Sequence, residues 1–185
     1  ARVSYIEKHI GEGDGNGERV LNPVTDVILG PGSYMEMETV QLRGVDSTRR
    51  LTKGVLAEDA TLIVREKLMT HGQQFAETTF KVDLNGAGSK SHLISRSVAR
   101  DDSHQEFLAV INGNNRCMGH SECDAILVDQ GTVTASPALE ASHVDASLIH
   151  EAAIGKIAGE QLLKLKTLGL TEEEAEERII AGFLK

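Results

Sequence analysis

Between residue 20 and about residue 133 the chain reads as short runs in which apolar and polar side chains alternate, broken by Gly, Asp, Asn and Ser. Runs at 24–29, 34–42, 61–68, 75–83, 92–99, 106–111 and 125–128 follow the period of two that a strand imposes. Strands spaced by roughly ten to fifteen residues suit a sandwich, a barrel or a β-solenoid. Asn85-Gly86 and Asn112-Gly113 are the hairpin-type dipeptides in this region, and no exact repeat marks a period. The segment around Glu122-Cys123-Asp124 and His150-Glu151 continues the strand-like alternation before the chain turns helical.

The period then changes. Leu162, Leu165 and Leu168, widened by Leu163, predict a helix over 159–168 that Gly169 stops. Thr171-Glu172-Glu173-Glu174 is a capping box, with Leu170 and Ala175 placed for a hydrophobic staple. Ala175, Ile179 and Phe183 recur every four residues beside Ile180, which predicts an amphipathic helix over 172–184. Its acidic first turn complements the helix dipole.

Composition sharpens this picture. Of 185 residues, 40% are apolar but only 3% aromatic, and Trp is absent. A core filled by Val, Ile, Leu and Ala suits stacked strands. Lys and Arg number 19 against 28 Asp and Glu, a formal charge of −9, and no basic face interleaved with aromatics offers itself to nucleic acid. No apolar run approaches a membrane span, and the opening ARVSYIEKHIG lacks the apolar stretch of a signal peptide. Two cysteines make no disulfide framework, which points to a reducing cytoplasm. Both ends read as cut from something longer, the last one directly after a helix. The length is that of one domain, with a β core over 1–150 and a helical segment over 151–185.

Several residue groups carry chemistry. The Gly-rich stretch 11–17 places Asp14, Asn16 and Glu18 like the start of a calcium loop, but Arg19 and Thr25 stand where that loop needs Gly and Glu. Cys117, His120 and Cys123 are spaced as Cys-x2-His-x2-Cys, yet no second knuckle follows to close a zinc site. Cys123, between Glu122 and Asp124, reads either as a buried strand cysteine or as a soft ligand. His150-Glu151 reads either as a polar strand-to-helix corner or as a metal-binding or acid–base pair. Alternation would put Ile149 and Glu151 on one side and His150 on the other. His71, His92 and His104 lie near turn residues and read as solvated loop histidines.

Lys90-Ser91-His92-Leu93-Ile94-Ser95-Arg96, Glu122-Cys123-Asp124, Pro137-Ala138-Leu139-Glu140, Leu148-Ile149-His150-Glu151-Ala152, Glu160-Gln161-Leu162, Gly169-Leu170-Thr171-Glu172-Glu173-Glu174-Ala175 and Gly182-Phe183 follow one another in an order that resembles the SufB/SufD family of iron–sulfur cluster assembly proteins. Upstream, Thr70-His71-Gly72-Gln73-Gln74 resembles the same family. The Cys together with the His-Glu-Ala motif resembles SufB more than SufD, in a minimal, archaeal-like form.

The resemblance implies a right-handed parallel β-helix (β-solenoid) with a short C-terminal helical segment that docks the ATPase SufC. It implies a dimer, either a homodimer or a SufB/SufD-type heterodimer. It makes Cys123 the cluster-assembly cysteine and His150 and Glu151 the motif residues that hold iron or a nascent iron–sulfur cluster at the dimer interface. Two departures stand out. Ala57 occupies the place of a sulfur-accepting cysteine in bacterial members, and Cys117 matches no family cysteine and reads as an extra ligand. The chain has no nucleotide motif, so ATP chemistry falls to the partner. Three readings follow: a non-enzymatic scaffold, a metal- or thiol-dependent enzyme on a β-solenoid using Cys123, His150 and Glu151, or a structural β-helix that binds only a partner.

Overall fold

The structure, a computed structural model, describes residues 1–12 and 17–185. Asp14 and Asn16 of the Gly-rich stretch lie outside the described residues. Among the described residues twelve strands precede two helices: β1 (Arg2–Ile10), β2 (Val20–Leu21), β3 (Val24–Leu29), β4 (Tyr34–Arg43), β5 (Ser47–Leu56), β6 (Thr61–Thr70), β7 (Phe75–Leu84), β8 (Lys90–Ala99), β9 (His104–Gly113), β10 (Cys117–Leu127), β11 (Thr132–Ala141), β12 (Ala146–Lys156), α1 (Gly159–Thr167) and α2 (Glu172–Phe183).

Successive strands from β4 onward alternate between two sheets. Sheet A runs β1-β4-β6-β8-β10-β12, and sheet B runs β11-β9-β7-β5-β2 with β3 also on β5. Neighbours pair in parallel, as in β6 with β8 and β7 with β9. This is a β-solenoid of about five turns. The pairing supplies the period that the sequence conceals: Ser95 meets Glu66 at a separation of 29 residues, and Arg49 meets Glu77 at 28. The hairpin-type dipeptides join no antiparallel strands. Asn85 and Asn112 instead stack on neighbouring turns, Asn114 Nδ2 donating to Asn85 Oδ1 at 2.8 Å and Asn112 Nδ2 to Asp83 Oδ1 at 2.7 Å.

Most of the corners place one residue in the left-handed region, whereas the connections at 114–116 and 142–145 do without one. Gly32, Asp59 and Gly88 supply it at one corner, and Gly72, Asp101 and Asp129 at the opposite one. Asp tolerates this conformation better than other side chains because its short carboxylate bonds to nearby backbone. At Gly86 a side chain is excluded outright, since a Cβ would lie 2.0 Å from the Glu58 backbone nitrogen of the turn below.

The interior is mainly apolar but has a large polar part. Met37, Leu56, Leu62, Val64, Phe80, Leu84, Leu93 and Ile111 fill one part. Thr39, Thr48, Arg50, Glu66, Thr78, Ser95, Gln105 and Ser121 fill the other. Glu66 Oε1 and Oε2 accept from Thr78 Oγ1 and Ser95 Oγ, both at 2.8 Å. Arg50 Nε lies 3.7 Å from Glu66, while its Nη2 meets His9 Nδ1 at 2.8 Å and its Nη1 donates to Glu7 at 3.4 Å. A charge this deep is tolerated because it is both paired and hydrogen-bonded.

β12 carries the core strand on to Lys156, past residue 150. The capping box at α2 is formed: Glu174 N–H donates to Thr171 Oγ1 at 3.2 Å and Thr171 N–H to Glu174 Oε2 at 2.8 Å. Ile180 is buried against Val98 and Val128, with Phe183 and Leu184 packed on the same cluster. α1 buries none of its residues, and Leu163 and Leu168 are exposed. Among the described residues no helix is long and apolar enough to cross a membrane.

Candidate functional site

The pleat of β10 decides which of its side chains can act together. Cys117, Gly119, Ser121 and Cys123 face inward, while Met118, His120, Glu122 and Asp124 face outward. The Cys-x2-His-x2-Cys spacing therefore cannot close around one ion, because His120 lies on the opposite face from both cysteines. Six residues of strand also hold Cys117 about 20 Å from Cys123. Cys117 is buried within the apolar core.

β12 repeats the pattern one turn later. Ser121 pairs with His150, Glu122 with Glu151 and Cys123 with Ala152. His150 thus faces inward one diagonal step from Cys123, and Glu151 faces outward beside Glu122. Within this chain Cys123 and His150 share a face, and Glu151 does not. His150 Nδ1 is sealed from solvent and has no hydrogen-bond partner among the described residues.

Cys123 is a free thiol, 1% exposed. Its row on the inner face runs Glu66, Ser95, Cys123, Ala152 across β6, β8, β10 and β12. Burial, reinforced by the negative charges of Glu66 and Asp124, pushes the thiol up to about 12. It is a protonated thiol at neutral pH. Asp124 is raised as well, by burial first and by Glu122 next.

The outward face of sheet A holds a group that reading the sequence strand by strand overlooked. His92 lies in β8, not in a loop, and pairs directly with His120 of β10. Their rings stack with centroids 4.6 Å apart and 8° between planes. His104 likewise begins β9, while His71 does lie in a turn. His92 Nε2 is 3.6 Å from Glu122 Oε2, and His120 Nε2 is 3.6 Å from Glu151 Oε2. Burial, with His120 next to it, lowers the His92 imidazole below its ordinary value. His92 and His120 stand one solenoid turn apart at matching outward positions, a relation that shows only once the turn length is known.

A parallel β-solenoid whose final turn carries an inward cysteine and histidine and an outward carboxylate defines a class of protein rather than one activity. The model of the SUF system FeS cluster assembly SufBD core domain matches residues 55–183, and the chain belongs to that family. An iron–sulfur cluster assembly SufBD family protein of Methanothermobacter thermautotrophicus is 41% identical over 106 residues, 56% of this chain and 26% of the relative. Family proteins of Pyrococcus horikoshii and Methanocaldococcus jannaschii are 29% and 28% identical over 98% and 100% of this chain. The chain spans 55% and 58% of those two relatives, about half their length.

Proposed function

We propose that this chain is a scaffold on which iron–sulfur clusters are assembled, without catalysis of its own, and that it works with a SufC-like ATPase in a reducing cytoplasm. Family membership supports the general role in cluster assembly. The observation that carries the finer reading is the placement of Cys123 and His150 on one inward face of paired strands in the last turn of the solenoid.

Iron and sulfide are the cargo. Cys123 supplies the soft ligand and His150 the borderline one. A thiol held near 12 is a poor nucleophile, which weighs against a thiol-dependent enzyme. Binding to iron removes the thiol proton outright, so the same burial does not prevent ligation. Access to a cysteine that is 1% exposed requires the terminal strand β12 to yield. β12 is the edge of sheet A, and its residues from Glu151 to Lys156 are all exposed, so its opening costs less than that of an inner strand.

The same open edge supports a dimer, homo or of the SufB/SufD type, in which Glu151 joins the site from the outer surface. Leu139, Val144, Ile149 and Ile154 are exposed on or beside the last two strands and add apolar area to that contact. The exposed face of α1 is the proposed ATPase-docking element. Anaerobic reconstitution with iron and sulfide tests the scaffold: it should yield sulfur-to-iron charge-transfer absorption that remains with the protein through gel filtration. Loss of all iron and sulfide on the column would remove the reading.

A further inference from the structure

We infer that the outer face of sheet A carries a mononuclear site for a borderline divalent transition-metal ion, held by His92 Nε2, His120 Nε2 and Glu122, with Glu151 as fourth donor. The inference goes beyond the scaffold reading, since His92, His120 and Glu122 have no part in it and only the fourth donor, Glu151, is shared. It can hold whether or not clusters form.

The fold builds the group rather than leaving it to chance. His92 and His120 are registered partners on neighbouring strands, Glu122 follows His120 on the same face, and Glu151 is the registered partner of Glu122. Donor atoms of His92, His120 and Glu122 all lie within 4.8 Å of one another. Metal–ligand bonds of about 2.0–2.1 Å at tetrahedral angles need donors roughly 3.4 Å apart. Small rotations of the rings and carboxylates close that difference.

A second, independent observation points to a ligand. The Nε2 atoms of His92 and His120 are both sealed from solvent, and neither has a hydrogen-bond partner among the described residues. The carboxylates stand 3.6 Å away, too far to satisfy them. Sealed polar atoms are normally paired, so two adjacent orphans on stacked rings call for an ion between them and the carboxylates. A cavity of about 300 Å³ lined by both histidines, Ile63, Met118 and Ile149 opens beside them and gives an entry path. Two imidazoles and carboxylates, with no thiolate, select zinc or ferrous iron over magnesium or calcium, which prefer all-oxygen shells.

Titration of the full chain with zinc, and separately with cobalt(II) as a spectroscopic probe under reducing conditions, tests the site. The expected result is one ion per chain, with ligand-field bands and no thiolate-to-metal charge transfer, unchanged in Cys123→Ser. His92→Ala and His120→Ala should each weaken binding at least tenfold. Glu122→Gln, which keeps volume and cannot disturb the fold by a cavity, should weaken it too. Undiminished binding in Glu122→Gln and in either folded histidine variant would overturn the inference. So would a cobalt spectrum dominated by a thiolate band that disappears in Cys123→Ser. Failure of iron–sulfide reconstitution with zinc binding intact would strike the scaffold reading and leave this site standing.

Discussion

Glu66 and Cys123 face the same interior row of sheet A, with only Ser95 between them, and both are almost closed to solvent. Burial and the Glu66 charge together hold the Cys123 thiol at about 12, against an ordinary value of 9.0. The folded state therefore keeps its proton more tightly than the unfolded chain. The resulting stability is complete below pH 9.0 and is lost as pH rises toward about 12. In urea unfolding, the wild type should lose stability over that interval more steeply than Cys123→Ala. Equal slopes would show that the thiol is not held protonated. Glu66→Gln removes one of the charges and should lower the pH at which iodoacetamide alkylates Cys123 in the folded chain.

Arg50 is the counter-ion of an interior that also holds Glu66, Glu7 and His9. Arg50→Met leaves Glu66 charged and unpaired in a closed core, at a cost of about 3–5 kcal/mol. The pair Arg50→Met with Glu66→Gln removes the charge as well as its partner and should recover much of that loss. Denaturant midpoints for the two singles and the double measure the coupling. Additive losses would mean that the two side chains do not sense each other.

The C-terminal helices attach unequally. α2 sets Ile180 into the Val98–Val128 cluster and brings Glu176 and Glu177 to Arg100 at 3.0 and 2.5 Å, whereas α1 buries nothing. Thr171→Ala removes the cap and should cost about 1 kcal/mol. Truncation after Gly169, which removes α2 alone, should leave the β-sheet circular dichroism intact and lower the melting temperature by exposing Val98 and Val128, and truncation after Ala158, which removes α1 as well, should abolish capture of a SufC-like ATPase. Retained capture would remove the docking role, and loss of the β signal would make α2 a cap on the core.

The legibility of this fold in its sequence followed what each strand points inward. The run at 24–29 matches β3, because Val27 and Leu29 are the buried members of a clean alternation. β5 escaped notice because its inward positions are Thr48, Arg50, Thr52 and Gly54, with Leu56 at its end the one large apolar member, a set that reads as a loop. The polar interior of the solenoid hides its own strands. β11 was missed for a related reason: as the edge of sheet B it buries little and alternates weakly. The period of 28 to 29 residues is carried by register and corner geometry, not by repeated letters. The helices were plain, since a capping box and a four-residue apolar recurrence are local signals. At the site, the alternation of His150 and Glu151 was readable from the pleat alone. The meeting of His92 with His120 was not, because it depends on knowing the turn length.

The central claim rests on Cys123, and Cys117 provides the internal control, since both are buried thiols on the same face of the same strand. Iron and sulfide should be reconstituted anaerobically in parallel on the wild type, Cys123→Ser and Cys117→Ser, with iron and acid-labile sulfide counted per chain after gel filtration. Exchange of thiol for hydroxyl changes volume little but removes the soft ligand. The scaffold account predicts that Cys117→Ser retains the wild-type iron, sulfide and charge-transfer absorption, and that Cys123→Ser loses all three. A Cys123→Ser chain that still carries a full cluster would contradict it.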